Sequence, residues 1–428
     1  MAIADPLYLS EAGVSRAGWR MEAPMSHSAA VDERSPRIPV TSPWQATLSG
    51  LCASLVGIGL ARFAYTPLLP AIIDAHWFAA SAATYLGAAN LVGYLAGALL
   101  ARPLTQRVST TLVLRAMMLV ATAAFFACAF PLSFLWFFAW RIASGISGGA
   151  LMVLAAPVVL PHVPHARRGL ASGLIFAGVG LGIAASGTLV PLLLRQGLEQ
   201  TWLGLGLLAL ILTAIAWTGW PRHPAAVPPA PHAARGTHPT RQLQALYAEY
   251  GLNAVGLVPH MIFLVDFVAR GLGQGLDAGA QYWVLFGLGA IVGPIVTGHL
   301  ADRTGYGSAL RLAYLIQAAA VALPMLGLGS SGLIVSSVIV GAFTPGIVPL
   351  VLGRVQELLA HHPAAQKGAW SAATTSFAVL QATAAYGMSF LFTATGGDYR
   401  LLFILGASAL ILALAVDLTI SVMRGSRE

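Results

Sequence analysis

Two arginines and one polar helical face hold most of the chemistry open to this chain. Arg62 lies in Gly57-Ile58-Gly59-Leu60-Ala61-Arg62-Phe63-Ala64-Tyr65-Thr66-Pro67-Leu68-Leu69-Pro70, inside an apolar run, and Arg141 lies at a similar depth in another. A charge in the middle of a spanning helix costs at least ~2.5 kcal/mol. A snorkelling arginine covers only about half of the ~12 Å between Arg62 and the end of its helix. If both guanidinium groups face one cavity, they form a cationic patch suited to a carboxylate or phosphate. The alternative is that each ties carbonyls or an acidic residue on a neighbouring helix. Glu249, Asn253, Gly256 and His260 fall at i, i+4, i+7 and i+11, so they share one helical face. Glu249 and His260 can both exchange protons, and Pro259 is expected to loosen the helix beside His260. The alternatives are an interfacial Glu249 and a hydrogen-bonded packing His260. Tyr65 and Thr66, Asn90 and Tyr94, and Thr374 and Gln381 form further polar pairs. They read as substrate contacts or as helix–helix hydrogen bonding.

The elements that must position these groups are membrane helices. The 428 residues are 57% hydrophobic and only 9% charged, against roughly 25% charged in a soluble domain. Most of the outer surface must therefore face something apolar, and lipid is the simple answer. At ~20 residues per span the chain has room for about twelve. Helices are expected at 45–72, 80–101, 110–130, 133–159, 168–194, 201–220, 243–268, 280–300, 309–328, 332–358, 368–394 and 399–421. The 25 Pro and 46 Gly suit a membrane bundle better than soluble helices. Gly93 and Gly97, Gly145 and Gly149, Gly169 and Gly173, Gly178 and Gly182, and Gly289 and Gly293 are spaced four apart, the spacing that lets helix backbones approach.

Around the spans, residues 1–43 are polar, near-neutral and aperiodic, and are expected to be a disordered cytoplasmic tail. Met21 and Met25 are alternative starts, so residues 1–24 are not assured a place in the mature protein. Residues 44–220 form a first half, 221–242 a proline-rich linker that cannot be a helix interior, 243–423 a second half and 424–428 a short tail. The formal charge of +8 comes from 22 Arg and one Lys. They gather in alternate loops, which favours topology over nucleic-acid binding and puts both termini in the cytoplasm. Cys52 and Cys128 each sit in an apolar run and read as packing residues. His162, His165, His361 and His362 lack metal-ligand spacing. With no P-loop, ATP-driven pumping is not expected. No metal and no cofactor are expected. No triad or catalytic loop suggests an enzyme.

Gly298-His299-Leu300-Ala301-Asp302-Arg303-Thr304-Gly305 has a worn copy at Gly97-Ala98-Leu99-Leu100-Ala101-Arg102-Pro103-Leu104, with Ala101 opposite Asp302. A repeat at such a distance implies two related halves. The stretch resembles the Gly-x-Leu-x-Asp-Arg-x-Gly loop signature of the major facilitator superfamily, a resemblance that runs from about Trp44 to Met423. It implies an all-α integral membrane protein with twelve transmembrane helices in two pseudo-symmetric six-helix halves, moving by alternating access about a central site. It also makes Asp302 and Arg303 gating candidates. Arg141-Ile142-Ala143-Ser144-Gly145-Ile146-Ser147-Gly148-Gly149 resembles the superfamily's helix 4 motif, which implies a proton-coupling role for Arg141. Gly169, Gly178 and Gly182 resemble its drug/proton antiporter motif, yet Ile183 and Ser186-Gly187 depart from it. The stretch from Gly59 to Pro70 is most similar to the YbfB/YjiJ-type bacterial transporters.

The resulting expectation is a proton-coupled transporter of a small organic anion. Arg62, Tyr65, Thr66, Asn90, Tyr94, Arg141, Thr374 and Gln381 would contact substrate, while Glu249, His260 and Arg141 would handle protons. Export of amphipathic drugs or metabolites is the first alternative, and a non-transporting membrane sensor the second. The expected partners are the substrate, protons and the lipid bilayer, with no nucleic acid. A monomer in the bacterial inner membrane is expected.

Overall fold

Serines and prolines set several of the helix starts. In a computed structural model of the chain, residues 42–164, 167–221 and 241–425 are described. The N-terminal tail up to residue 41, nearly all of the linker, His165 and the last three residues lie outside them. Ser42 and Gln45 form a reciprocal capping box with Pro43 in the first turn. The Ser109 and Ser133 hydroxyls accept from the backbone N–H of Leu112 and Trp136 at the next two helix starts of this kind. Gly305, with φ of 78°, ends the eighth span in a conformation glycine adopts without strain.

Among the described residues, twelve helices are long and apolar enough to cross a membrane. They are α1 Pro43–Asp74, α2 Ala80–Arg107, α3 Thr110–Cys128, α4 Phe134–His162, α5 Leu170–Leu194 and α6 Leu198–Ala216, then α7 Arg241–Gly271, α8 Leu276–Thr304, α9 Tyr306–Leu326, α10 Gly329–Leu358, α11 Gly368–Ala394 and α12 Tyr399–Met423. The protein is an all-α, multi-pass membrane protein, and no strand occurs among the described residues. Two apolar cores run through it, one drawn mainly from α1–α6 and the other mainly from α7–α12. Cys52 and Cys128 are free and buried in the first.

Without water to drive apolar surfaces together, helices in lipid associate through close packing, and the glycines provide it. Cβ atoms on Gly93 and Gly97 of α2 would lie 2.2 and 2.0 Å from the carbonyl oxygens of Ile142 and Ile146 on α4; one on Gly145 would lie 2.0 Å from that of Asn90. In α8 and α10 the pattern recurs: Gly289 meets the Val338 carbonyl at 2.2 Å, Gly293 the Ala342 carbonyl at 1.8 Å, and Gly341 the Phe286 carbonyl at 2.1 Å. Every residue of the first set stands 196 positions before its counterpart (93 to 289, 97 to 293, 145 to 341, 90 to 286). Gly178 and Gly182 of α5 pack on α1, with Gly182 against Gly59, so these antiporter-like glycines serve helix packing.

This repeat corrects the register read from the loop signature. At the structural offset Asp302-Arg303 corresponds to Gln106-Arg107, with Leu104 opposite Leu300, and Ala101 is not the counterpart of Asp302. The span expected at 80–101 continues as helix to Arg107, with Pro103 inside it. Near a helix end the carbonyl freed by a proline finds other partners more easily.

Only α1 and α7 contain wide π-helical turns, Leu55–Leu60 in α1 and Pro259–Phe263 and Phe267–Gly271 in α7. Such turns are frequent at functional sites. Tyr65–Asp74 of α1 packs against Leu264–Asp266 of α7, and Trp283 of α8 donates to the Ser186 hydroxyl of α5 at 3.1 Å. Tyr85 and Tyr386 pair across α2 and α11. All these contacts between the first and last six spans lie toward the end of the bundle that carries Asp74. Toward the Pro43 end, Pro43–Ser54 packs mainly on α4, α5 and α6, and Arg241–Val258 mainly on α9 to α12.

Gly145→Ala should lower thermal stability of the detergent-solubilised protein by about 1–3 kcal/mol or more, because the new methyl meets a backbone oxygen that cannot move alone. Gly173→Ala, with nothing within 4 Å of its Cβ, should be neutral or stabilise by up to about 1 kcal/mol. Equal effects of the two substitutions in a thermal unfolding assay would remove the packing account.

Candidate functional site

The irregular turn of α1 releases backbone groups, and a buried arginine takes one of them. Ala61 N–H donates to the Val56 carbonyl at 3.0 Å, the wide spacing of a π turn. The Ala61 carbonyl accepts from Arg141 Nη1 at 3.0 Å and from Ser144 Oγ at 3.2 Å. Arg141 Nε also reaches the Leu86 carbonyl at 3.4 Å, and its guanidinium lies 4.3 Å from the Tyr65 ring centroid. Tyr65 is fixed in turn by donating to the Ala83 carbonyl at 2.7 Å. Arg141 is 3% exposed and so binds α1, α2 and α4 together.

Arg62 is held differently. Its Nη2 donates to Gln381 Oε1 on α11 at 2.7 Å and lies 3.9 Å from Met261 Sδ on α7. The Phe63 and Tyr94 rings flank it at 5.1 and 5.0 Å, a favourable cation–π setting. Its Nε is shielded from solvent and has no partner. Thr66 Oγ1 donates to the Met261 carbonyl at 2.5 Å, a group the α7 π turn makes available. Arg62, Tyr65, Thr66, Arg141 and Met261 line one small cavity between α1, α2, α4 and α7. Both arginines therefore face the same space.

No acidic side chain is ion-paired with Arg62 or Arg141 among the described residues. Arg270 pairs with Asp266, Arg311 with Asp417, and Arg354 with Glu357. These three arginines near span ends are neutralised within the protein, and the two deep ones are not. An unneutralised cation at such depth is costly, so the cavity suits an anion.

The remaining expected residues fall elsewhere. Asn90 donates to the Arg141 carbonyl at 3.3 Å and to Ser144 Oγ at 3.2 Å, within the α2–α4 seam. Thr374 donates to the Trp370 carbonyl of its own helix, away from Arg62. Asp302 and Arg303 are exposed at the end of α8. Glu249 is 2% exposed on α7, within electrostatic range of Asp417, Arg354 and Arg311. Beside it, Asn253 donates to Gln317 on α9 at 2.6 Å, leaving Asn253 Oδ1, Gln317 Nε2 and the Tyr314 hydroxyl unpartnered. His260 is buried in a separate place. Its Nε2 lies 2.7 Å from Ser336 Oγ, which itself donates to the Ala320 carbonyl at 2.7 Å. The serine has one proton to give, so His260 Nε2 must carry the ring proton and Nδ1, which lacks a partner, is bare.

Met261 escaped the sequence reading because its contributions are a backbone carbonyl and a thioether; the signal was Pro259 two residues earlier. Asp266 near the end of α7 is a further carboxylate that the sequence analysis did not single out. It is fully buried, bound by Arg270 and by the Tyr399 hydroxyl at 2.5 Å.

A gallate transporter from Pseudomonas putida is 28% identical to the chain over 313 residues, covering 61% of this chain and 69% of its own. The family described as uncharacterised MFS-type transporter YbfB matches residues 54–418. With nearly all of the twelve spans inside that match, the chain belongs to this family of major facilitator superfamily transporters.

Proposed function

We propose that the protein carries a small organic anion, an aromatic carboxylate of the gallate type, across the bacterial inner membrane in exchange with or alongside protons. The observation that carries this reading is Arg62, a deep guanidinium that lines a small cavity, has no acidic partner among the described residues and keeps an Nε–H without a partner. The Nε–Nη2 edge of a guanidinium donates to both oxygens of a carboxylate. Phe63, Tyr65 and Tyr94 around it provide ring faces for an aromatic body. Similarity to a gallate transporter supports the same chemical class. Arg141, occupied by two carbonyls and a ring, acts on the substrate through its field and through the shape it gives α1.

The places where the two sets of spans touch support alternating access. Contact at the Asp74 end and separation toward the Pro43 end correspond to a state closed on one side. With both termini cytoplasmic, as the loop charges favour, this is the inward-facing state. The small cavity then has to widen for substrate, which rocking of the halves about α1 and α7 would do. We assign the proton to Glu249. It is buried without an ion pair, faces Asp417, Arg354 and Arg311 from α12, α10 and α9, and lies on α7 above the Met261 turn. His260, engaged by Ser336 in one tautomer, is the weaker candidate.

Purified protein in liposomes, given radiolabelled gallate and an internal pH dye, tests this. Uptake accompanied by a pH change is expected. Arg62→Ala should abolish uptake, and Arg62→Lys should lower kcat/KM by roughly 10–100-fold, because an ammonium cannot form the fork. Flux driven only by cationic amphiphiles, unaffected by Arg62→Lys, would replace this reading with drug or metabolite export. Glu249→Gln should keep gallate binding within about threefold while removing the pH signal; a normal pH signal in that variant would move the proton site elsewhere.

A further inference from the structure

We propose that Gln381 is a neutral stand-in for the substrate's carboxylate: it occupies half of the Arg62 fork in the empty carrier and is displaced when substrate binds. The proposal rests on Arg62 as the anion site and adds what competes there. Four observations support it. Gln381 Oε1 accepts from Arg62 Nη2 at 2.7 Å, while the adjacent Nε has no partner and is shielded from solvent. One side of the fork is therefore capped and the other is empty. Since arginine only donates, the amide must present its oxygen to Arg62. Its nitrogen faces Met261 Sδ at 3.5 Å, a weak acceptor that leaves the amide free to turn away. Gln381 is also 1% exposed, so the pair is sheltered from bulk solvent.

Charge decides the competition. An amide oxygen satisfies one N–H without neutralising the cation, whereas a carboxylate satisfies two and cancels the charge, and charge-assisted pairs are roughly twice as strong as neutral ones. The protein thus avoids an empty, unsatisfied guanidinium, which would be costly at this depth, without closing the site to its ligand. A glutamate at 381 would neutralise Arg62 permanently. Arg62 is on α1 and Gln381 on α11, so the same exchange also replaces a direct tie between the first and last six spans by one running through the substrate. Substrate specificity follows in part: ligands without a carboxylate or comparable anion cannot displace the amide.

The test uses the full-length protein in lipid nanodiscs, with gallate as probe, in calorimetric titrations and in thermal unfolding without ligand. Gln381→Leu should bind gallate roughly tenfold more tightly than the parent protein, since the competing hydrogen bond is gone. Gln381→Glu should lose gallate binding and unfold at a higher temperature. Weaker or unchanged binding by Gln381→Leu, or retained binding by Gln381→Glu, would overturn the proposal. If the parent protein binds no gallate, the assignment of substrate fails, and the ligand-free cycle of Arg62→Leu, Gln381→Leu and the double variant decides this inference separately. Non-additive shifts in unfolding temperature support the tie, and additive shifts refute it. Should Gln381→Leu fold poorly, Gln381→Ala takes its place, because removing a place-holding amide should tighten gallate binding and removing a substrate-contacting one should weaken it.

Discussion

The guanidinium of Arg141 is the interaction on which the site depends. It spans α1, α2 and α4 by donating to the Ala61 and Leu86 carbonyls. In hydrocarbon a backbone carbonyl released from its helix must be satisfied by protein, and the irregular turn of α1 releases one immediately before Arg62. Arg141 meets that demand, and the bent helix in turn gives the buried cation its acceptors. Each removes the other's unsatisfied group, so neither the turn nor the buried charge would persist alone. The glycines that lock α2 to α4 bring Arg141 within reach, since any side chain at Gly93, Gly97 or Gly145 would separate the backbones.

Two arginines of similar depth thereby acquire different duties. Arg141 has its donors directed at backbone oxygens and its face on Tyr65. Arg62 keeps a vacant N–H and a single strong but neutral acceptor. A cation whose partners are fixed builds structure, and one whose partner can be exchanged binds ligands. The second half places its ionisable groups elsewhere: Glu249 is buried with the polar residues of α7 and α9, and Ser337 stands opposite Arg141 at the 196-residue offset. The repeat supplies the scaffold twice, while the charges that distinguish the halves occur once.

The wide turn Pro259–Phe263 of α7 touches Tyr65–Asp74 of α1 across the two sets of spans, whereas Leu55–Leu60 of α1 packs on its own set. Carbonyls freed there are the ones that cross between helices, as the Thr66 bond to Met261 illustrates. Asp74 and Arg270, at matching positions under the same offset, also come within electrostatic range of one another. The pseudo-symmetric relation of the helices thus brings equivalent ends together at the closed end of the bundle.

Much of this was legible in the sequence. Twelve spans follow from composition and run length, because a membrane's thickness fixes how much apolar chain a helix needs. Arg62 and Arg141 announced themselves because charge at that depth is rare and expensive. Glycines four apart announced close packing, though not their partners. What sequence spacing misjudged was register: the loop signature suggested that Ala101 answers Asp302, and only the matching backbone contacts identify Gln106 instead. Likewise, nothing local in the sequence distinguishes a guanidinium bound to carbonyls from one left open, or joins Arg62 to Gln381 at a separation of 319 positions. Residue type and helical period are local properties, determined by the chain itself. Which donor finds which acceptor is decided by how twelve helices pack, and that belongs to the tertiary structure alone.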